Sequence, residues 1–329
     1  MSQLGWPDRE KVKRILFFPP TQIGDAIHLT AACRWIKQAY PESELSVVTL
    51  RQEREIYARC PFVDFVLQRP RGGKLKLWRL IRSAKPDLAL SSFDSRSSLL
   101  WTALAGVRFR AWPKTKKYSS LATITLKENL PGSHGSLHQI EQLLGQITDI
   151  GDRVPSIQLL AQDHEEARAA LAPLGDRPIV AIMVGSSHPR KTWLLSRFRV
   201  LWQSLEETGY QTVLLGGPAE QEMLEGEKDL PPVLAGHLSL AGGLAFLAQC
   251  RALITNDTGL SHCAGAVGCP VVALFGPTLA TDYPPPGENH SLIQGECDCP
   301  LRSQDRCAGA CMESITPGMV LDRLSALIP

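Results

Sequence analysis

The chain has 329 residues, with 35 Lys and Arg against 33 Asp and Glu and a formal net charge of +2. Hydrophobic residues make up 44% and charged residues 21%, the mix of a globular protein rather than a disordered one. That length exceeds what one core usually serves and predicts two domains, the near-neutral balance speaks against a nucleic-acid partner, and no apolar run reaches the roughly 18–20 residues of a membrane span.

The opening MSQLGWPDREKVKR lacks the apolar core of a signal peptide, so a cytoplasmic protein is expected. Beyond it, short apolar runs alternate with helical patterns: RILFFP with GDAIHLTAACRWIKQAY, LSVVTL with RQEREIYAR, and DLALSS with SSLLWTALAG. Such alternation predicts βαβ units and a parallel sheet. Residues 113–136, PKTKKYSSLATITLKENLPGSHGS, are irregular and polar and read as a long loop or a short hairpin. After the polar stretch LLAQDHEEARAALAPLGDRP a second series begins: IVAIMVG, a helix through LSRFRVLWQSLEETG, QTVLLGG, ALIT, a helix from Leu260, and VVALFG. Two successive series predict two Rossmann-like halves, residues 1–165 and 166–329, with ligands at the carboxyl ends of the strands and a cleft between the halves.

Three strand-to-helix turns carry the chemistry. In PPTQIGDAIH, Gly24 allows a tight turn and Asp25 falls in the first helical turn, where the dipole favours its anionic form. Asp25 reads either as a helix cap or as a functional carboxylate, and His28, one turn on, either as a packed polar residue or as part of the same site. In VGSSHPRKTW the small residues Gly185, Ser186 and Ser187 let a ligand approach the backbone, while Arg190 and Lys191 offer charge for phosphate oxygens. The Gly-Lys-Ser/Thr ending of a Walker loop is absent, and a solvated basic loop is the other reading. In ALITNDTGLSHCAGAVGCPVVALFGPT, six polar or small residues (Asn256, Asp257, Thr258, Gly259, Ser261, His262) crowd a helix N-terminus whose free N–H groups suit a diphosphate. Asp257 would repel phosphate but suits sugar hydroxyls, so this turn fits a nucleotide-linked sugar better than a plain capped helix.

Of nine cysteines, Cys33, Cys60, Cys250, Cys263 and Cys269 lie among apolar neighbours and read as small buried hydrophobes. Cys297, Cys299, Cys307 and Cys311 cluster near the C-terminus, and four thiolates could hold a structural zinc or iron. Their Cys-x-Cys start is tighter than the usual Cys-x2-Cys half-site, and reduced or disulfide-linked cysteines are the other readings.

Taken together these segments resemble glycosyltransferase family 9, the bacterial heptosyltransferases, which add ADP-activated heptose to the lipopolysaccharide inner core. The likeness runs in order through RILFFPPTQIGDAIHLTAACRWIKQAYPESELSVVT, LHQIEQLLGQI around His138, HPRKTWLLSRFRVLWQSLEETGYQTVLLGGPAEQE and ITNDTGLSHCAGAVGCPVVALFGPT. It implies an α/β GT-B fold with an acceptor domain (1–165), a donor domain (166–329) closing on a final helix, and inverting transfer that requires no cofactor. Asp25 inherits the role of general base. Lys191 inherits a place by the donor phosphates, Glu220 by the adenosine ribose, Thr258, Gly259 and His262 by the diphosphate, and Asp257 by the sugar hydroxyls; Ser186 completes the donor set. Gln22, His28 and the basic run Lys114, Lys116, Lys117 form the acceptor set, the lysines steering an anionic glycolipid met at the inner leaflet of the inner membrane. The chain departs from the family in TQI, where small residues usually precede Gly-Asp, and in VG, where Pro-Gly is usual. A GT-B transferase for another nucleotide-sugar and a GT-B-like sugar-nucleotide epimerase therefore stand as alternatives.

Overall fold

The structure is a computed structural model that describes residues 5–50, 52–70, 72, 74–113, 118–126, 135–296 and 310–328. The chain divides into two compact units, Met1–Gln158 and Leu159–Pro329.

The first unit runs β1 (Arg14–Phe18), α1 (Ile23–Ala39), β2 (Glu44–Thr49), α2 (Arg54–Tyr57), β3 (Phe65–Gln68), α3 (Lys74–Ala84), β4 (Leu88–Ser91), α4 (Arg96–Leu104), β5 (Phe109–Trp112), β6 (Ile124–Thr125) and α5 (Gly135–Leu144). Its six strands lie in the order β3-β2-β1-β4-β5-β6, and all pair in parallel. Burial explains the order: Ile15 to Phe18 of β1 and the whole of β4 are buried, as central parallel strands covered on both faces must be, whereas edge strand β3 is half exposed. Register sets Leu16 between Ser46 and Ala89, two small partners on the same face of the sheet. Order 3-2-1-4-5-6 reverses between β1 and β4, and that reversal opens a crevice at the carboxyl edge.

The second unit runs α6 (Ala161–Leu171), β7 (Ile179–Met183), α7 (Leu195–Glu207), β8 (Gln211–Leu214), α8 (Pro218–Leu224), α9 (Leu240–Leu247), β9 (Ala252–Asn256), α10 (Gly259–Ala266), β10 (Val271–Phe275), β11 (His290–Gln294) and α11 (Pro317–Leu327). Its five strands are parallel in the order β11-β10-β9-β7-β8, a 2-1-3-4-5 arrangement read from β7 as the first strand, and the reversal lies between β7 and β9. The core gathers Val180, Ile182, Leu274 and Trp193, whose ring meets Phe198 edge-on at 4.8 Å between centroids.

Two expectations change, and one unassigned stretch gains an element. The polar stretch after residue 158 holds helix α6, with the Asp163 carboxylate accepting from the Leu160 N–H at 2.9 Å; only Asp163 and Ala167 of it are buried, so its apolar period is faint. Within 113–136, Ile124–Thr125 pairs in parallel with β5 and is no hairpin. Gly24 lies inside α1, which already begins at Ile23, and forms no turn of its own. Cys33, Cys60, Cys250, Cys263 and Cys269 are free and buried, as small hydrophobes should be.

Candidate active site

In the first unit, Asp25 stands in the opening turn of α1 at the β1 end of the crevice. It does not cap the helix: the N-cap is Gln22, and no side chain caps. The Asp25 carboxylate instead accepts a hydrogen bond from Ser136 in the first turn of α5. The chain comes so close there that a Cβ on Gly135, whose φ is +43°, would lie 3.9 Å from Asp25 Oδ1. Burial pushes the Asp25 carboxyl up from its ordinary range, and the Ser136 bond pulls it part of the way back. The dipole argument from sequence alone gave the opposite direction; desolvation of a carboxylate wedged between two helices outweighs it. A half-buried carboxylate with one hydroxyl donor and raised basicity is suited to accept a proton.

His28 is pushed down to about 4, first by burial and then by the Arg153 guanidinium, so it is neutral at pH 7 and can offer only a neutral hydrogen bond. Arg153 in turn bonds Glu141 of α5 at 2.7 Å, and Glu141 faces His138 Nδ1 at 3.3 Å. Next to Gln22 an open groove of about 470 Å³ is lined by Arg69 and Arg96 together with Ser95 and Ser97. Arg69 donates to Ser97 Oγ at 3.0 Å and Arg96 pairs with Asp94 at 3.4 Å, so both guanidinium groups are held where the loop after β4 enters α4.

In the second unit, Asn256 ties two turns together. Its Nδ2 donates to the carbonyls of Val184 (2.9 Å) and Gly185 (3.0 Å), and its Oδ1 accepts from the Trp193 N–H (3.0 Å). This lashes the end of β9 to the turn after β7 on both sides of Lys191. Lys191 Nζ then meets Asp257 Oδ2 at 2.8 Å, and the Thr278 hydroxyl donates to the same oxygen at 2.5 Å. With its carboxylate so engaged, Asp257 does not cap α10: the N-cap is Thr258, whose side chain makes no capping hydrogen bond. An uncapped helix N-terminus beside a held lysine is an anion cradle. Glu220 is 8% exposed, accepts from the Gly217 N–H at 2.8 Å, and lies so near Gly185 and Gly216 that a Cβ at either would strike its side chain. Ser186 turns inward, bonding the His188 carbonyl (2.6 Å) and Thr192 Oγ1 (2.9 Å), so its hydroxyl shapes the turn. Gly259 and His262 lie in α10, His262 nearly buried.

Lys191, Glu220, Asp257, Thr258, Gly259 and His262 thus come from the turns and helices that follow β7, β8 and β9, and Gln22, Asp25 and His28 from the N-cap and first two turns of α1. Lys114, Lys116, Lys117, Cys297, Cys299 and Cys307 lie outside the described residues, while Cys311 is buried. Among the described residues no group of three or more His, Cys, Asp and Glu is arranged to hold a metal ion. Sequence reasoning missed Ser136, Arg69, Arg96 and Thr278, and saw Asn256 only as one polar residue among several. Thr278 lies three residues past the end of β10, in FGPT, and was open to detection; Ser136 meets Asp25 only through tertiary contact.

A family model described as glycosyltransferase family 9 (heptosyltransferase) matches residues 74–310. The lipooligosaccharide heptosyltransferase 2 of Haemophilus influenzae is 27% identical over 343 residues, covering 95% of this chain and 99% of that protein. The solved structure of Escherichia coli ADP-heptose lipopolysaccharide heptosyltransferase II superposes with a TM-score of 0.79 at 23% identity, over 96% of this chain and 98% of that one. TibC, a dodecameric iron-containing glycosyltransferase of enterotoxigenic E. coli, gives a TM-score of 0.58 at 16% identity, over 96% of this chain and 77% of that one. At these identities the solved structures speak for the fold, which is α/β of the GT-B class.

Proposed function

The chain belongs to glycosyltransferase family 9, the heptosyltransferases, and from that premise we propose that it moves a heptose from ADP-heptose to an anionic inner-core glycan or glycolipid of lipopolysaccharide. The Lys191–Asp257 pair under the uncapped N-terminus of α10 carries this reading, because it supplies fixed charge and N–H donors for a departing diphosphate without another group. In the reaction the acceptor hydroxyl attacks the anomeric carbon, its proton passes to Asp25, and the bond from that carbon to the diphosphate oxygen breaks, releasing ADP with inversion. Lys191 and the α10 N–H groups take the growing charge on ADP, Glu220 accepts from ribose hydroxyls, and Asp257, oriented by Lys191 and Thr278, accepts from the sugar. The first unit, with Gln22, neutral His28 and the Arg69 and Arg96 groove, receives the acceptor, whose acidic groups meet the two guanidiniums.

Incubation with ADP-heptose, UDP-sugars and GDP-sugars, each with and without a lipid A-linked core acceptor, tests the proposal. ADP release that needs both ADP-heptose and the acceptor is the expected result. Release from a UDP- or GDP-sugar alone, or without acceptor, overturns it in favour of another donor or of epimerisation.

No described helix is long and apolar enough to cross a membrane. The enzyme would work in the cytoplasm, touching the inner leaflet where a lipid-borne acceptor presents itself. Four thiolates at Cys297, Cys299, Cys307 and Cys311 have the donor chemistry for zinc or iron, and TibC is described as iron-containing. Metal analysis of the purified protein tests a structural ion there, and no step of the transfer runs through it.

A further inference from the structure

Charge is spread unevenly along this chain. Residues 65–127 hold 14 Lys and Arg against two acids, Asp87 and Asp94, a net +12 in a chain whose total is +2, so the rest carries −10. Within that basic stretch α3 has no acidic residue. Leu77 and Ile81 bury one side of α3 in the sheet core, and helical spacing then turns Leu75, Arg79 and Arg82 outward together, with Lys76 also exposed. On α3 and α4 two large apolar side chains stand exposed, Leu75 at 62% and Leu104, at the end of α4, at 56%. Trp78 joins the two helices, its indole N–H donating to the Leu104 carbonyl at 3.2 Å, and the Arg82 guanidinium stands 5.2 Å from its ring centroid. Arg108, exposed four residues beyond Leu104, lies 5.3 Å from the Phe109 ring. Trp78 thus links Arg82 and the outward side of α3 to the end of α4.

We propose that the outward face of α3 and the end of α4 dock on an anionic lipid bilayer, the cations against headgroup phosphates and Leu75, Trp78 and Leu104 in the interfacial layer. A merely solvated face would intersperse acids among its bases, and a single exposed leucine would need no account, but paired leucines around a tryptophan within a +12 stretch do. Nucleic acid would meet the cations equally well but gain nothing from leucines, whereas a membrane interface rewards Leu and Trp beside Lys and Arg. The inference leans on the proposed function only for the reason a membrane is near: a lipid-borne acceptor.

The test is sedimentation with vesicles of phosphatidylglycerol and phosphatidylethanolamine, and separately of phosphatidylcholine alone. Wild type should bind the first, more weakly as salt rises, and ignore the second. Each basic residue at an anionic surface is worth about fivefold, so Lys76→Ser/Arg79→Ser/Arg82→Ser together should weaken binding on the order of 100-fold. Leu75→Ser/Leu104→Ser should weaken it too, with the salt dependence preserved. Failure of wild type to bind, wild-type binding by both variants, or tighter binding to a short DNA duplex with no effect of the leucine changes would each overturn the proposal. Melting temperature and ADP affinity, read on the same preparations, guard against misfolding, and if the triple variant fails that check the leucine pair alone decides. Because vesicle binding uses no nucleotide-sugar, its failure is distinct from failure of the transfer assay.

Discussion

Asp25 and Asp257 are both carboxylates at the start of a helix that follows a central parallel strand, each beside the point where its sheet reverses order, yet they are held in opposite ways. Asp257 is clamped by a lysine at 2.8 Å and a threonine hydroxyl at 2.5 Å. Asp25 has burial, one serine donor and a raised pKa. A carboxylate that orients sugar hydroxyls gains from a fixed direction, and a cation beside it does no harm. A carboxylate that must take a proton would lose basicity to such a cation. In the proposed mechanism the same residue type at the same topological position serves two tasks, and the neighbours decide which.

The strongest way to break the contrast is Asp25→Asn, which keeps the shape of the side chain and removes its basicity. Transfer should fall about 10²–10⁴-fold, the usual contribution of general-base catalysis, while ADP affinity and melting temperature stay near wild type. A variant with normal turnover would show that Asp25 takes no proton.

Next in size is Asn256→Ala. It deletes three hydrogen bonds and leaves buried Val184 and Gly185 carbonyls and the Trp193 N–H without partners, each orphaned group costing about 1–3 kcal/mol. We expect a clear drop in midpoint on chemical denaturation together with loss of ADP binding. An unchanged midpoint would mean that the turn around Lys191 holds itself. Lys191→Ala should act more locally: nucleotide-sugar binding weakened by about 1.5–3 kcal/mol, transfer slowed, and the midpoint nearly unmoved. Calorimetry with ADP reads the first effect directly, and unchanged affinity would reduce HPRKTW to a surface loop.

What the sequence revealed follows the same division. Both α/β series were readable because buried parallel strands are near-continuous apolar runs, as in ILFF of β1 and VVALF of β10. The turn after β9 was readable because its polar residues are contiguous and abut such a strand. Half-exposed elements were not: α6 has little apolar period, and β6 is two residues long. The direction of the Asp25 shift was also out of reach, since a helix dipole is a local feature while burial by α5 joins residues more than a hundred positions apart. Arg69 and Arg96 looked like ordinary surface charges until the fold brought the loop after β3 and the start of α4 to one groove.

The finest test sharpens the Asp25 side alone. Ser136 donates to the Asp25 carboxylate, a bond that favours the ionised form against the burial that disfavours it. Other titratable groups nearby are Tyr57 of α2, buried and carrying its proton, neutral His28 on the same helix, and the His138–Glu141–Arg153 cluster on the α5 side, already paired within itself. None of these is a cation bonded to Asp25, so Ser136 is the group whose removal should be felt. In Ser136→Ala the carboxyl pKa rises further. In the proposed mechanism the working form is the carboxylate, present above that pKa, so the acid limb of the kcat/KM profile should move to higher pH while the plateau at alkaline pH drops less than the loss in Asp25→Asn. Ser136→Thr, which keeps the hydroxyl, should return the limb toward wild type, and ADP affinity should be the same in all three proteins. A loss of activity equal at every pH, unrescued by threonine, would assign Ser136 to the packing of α5 against α1 and leave the basicity of Asp25 to burial alone.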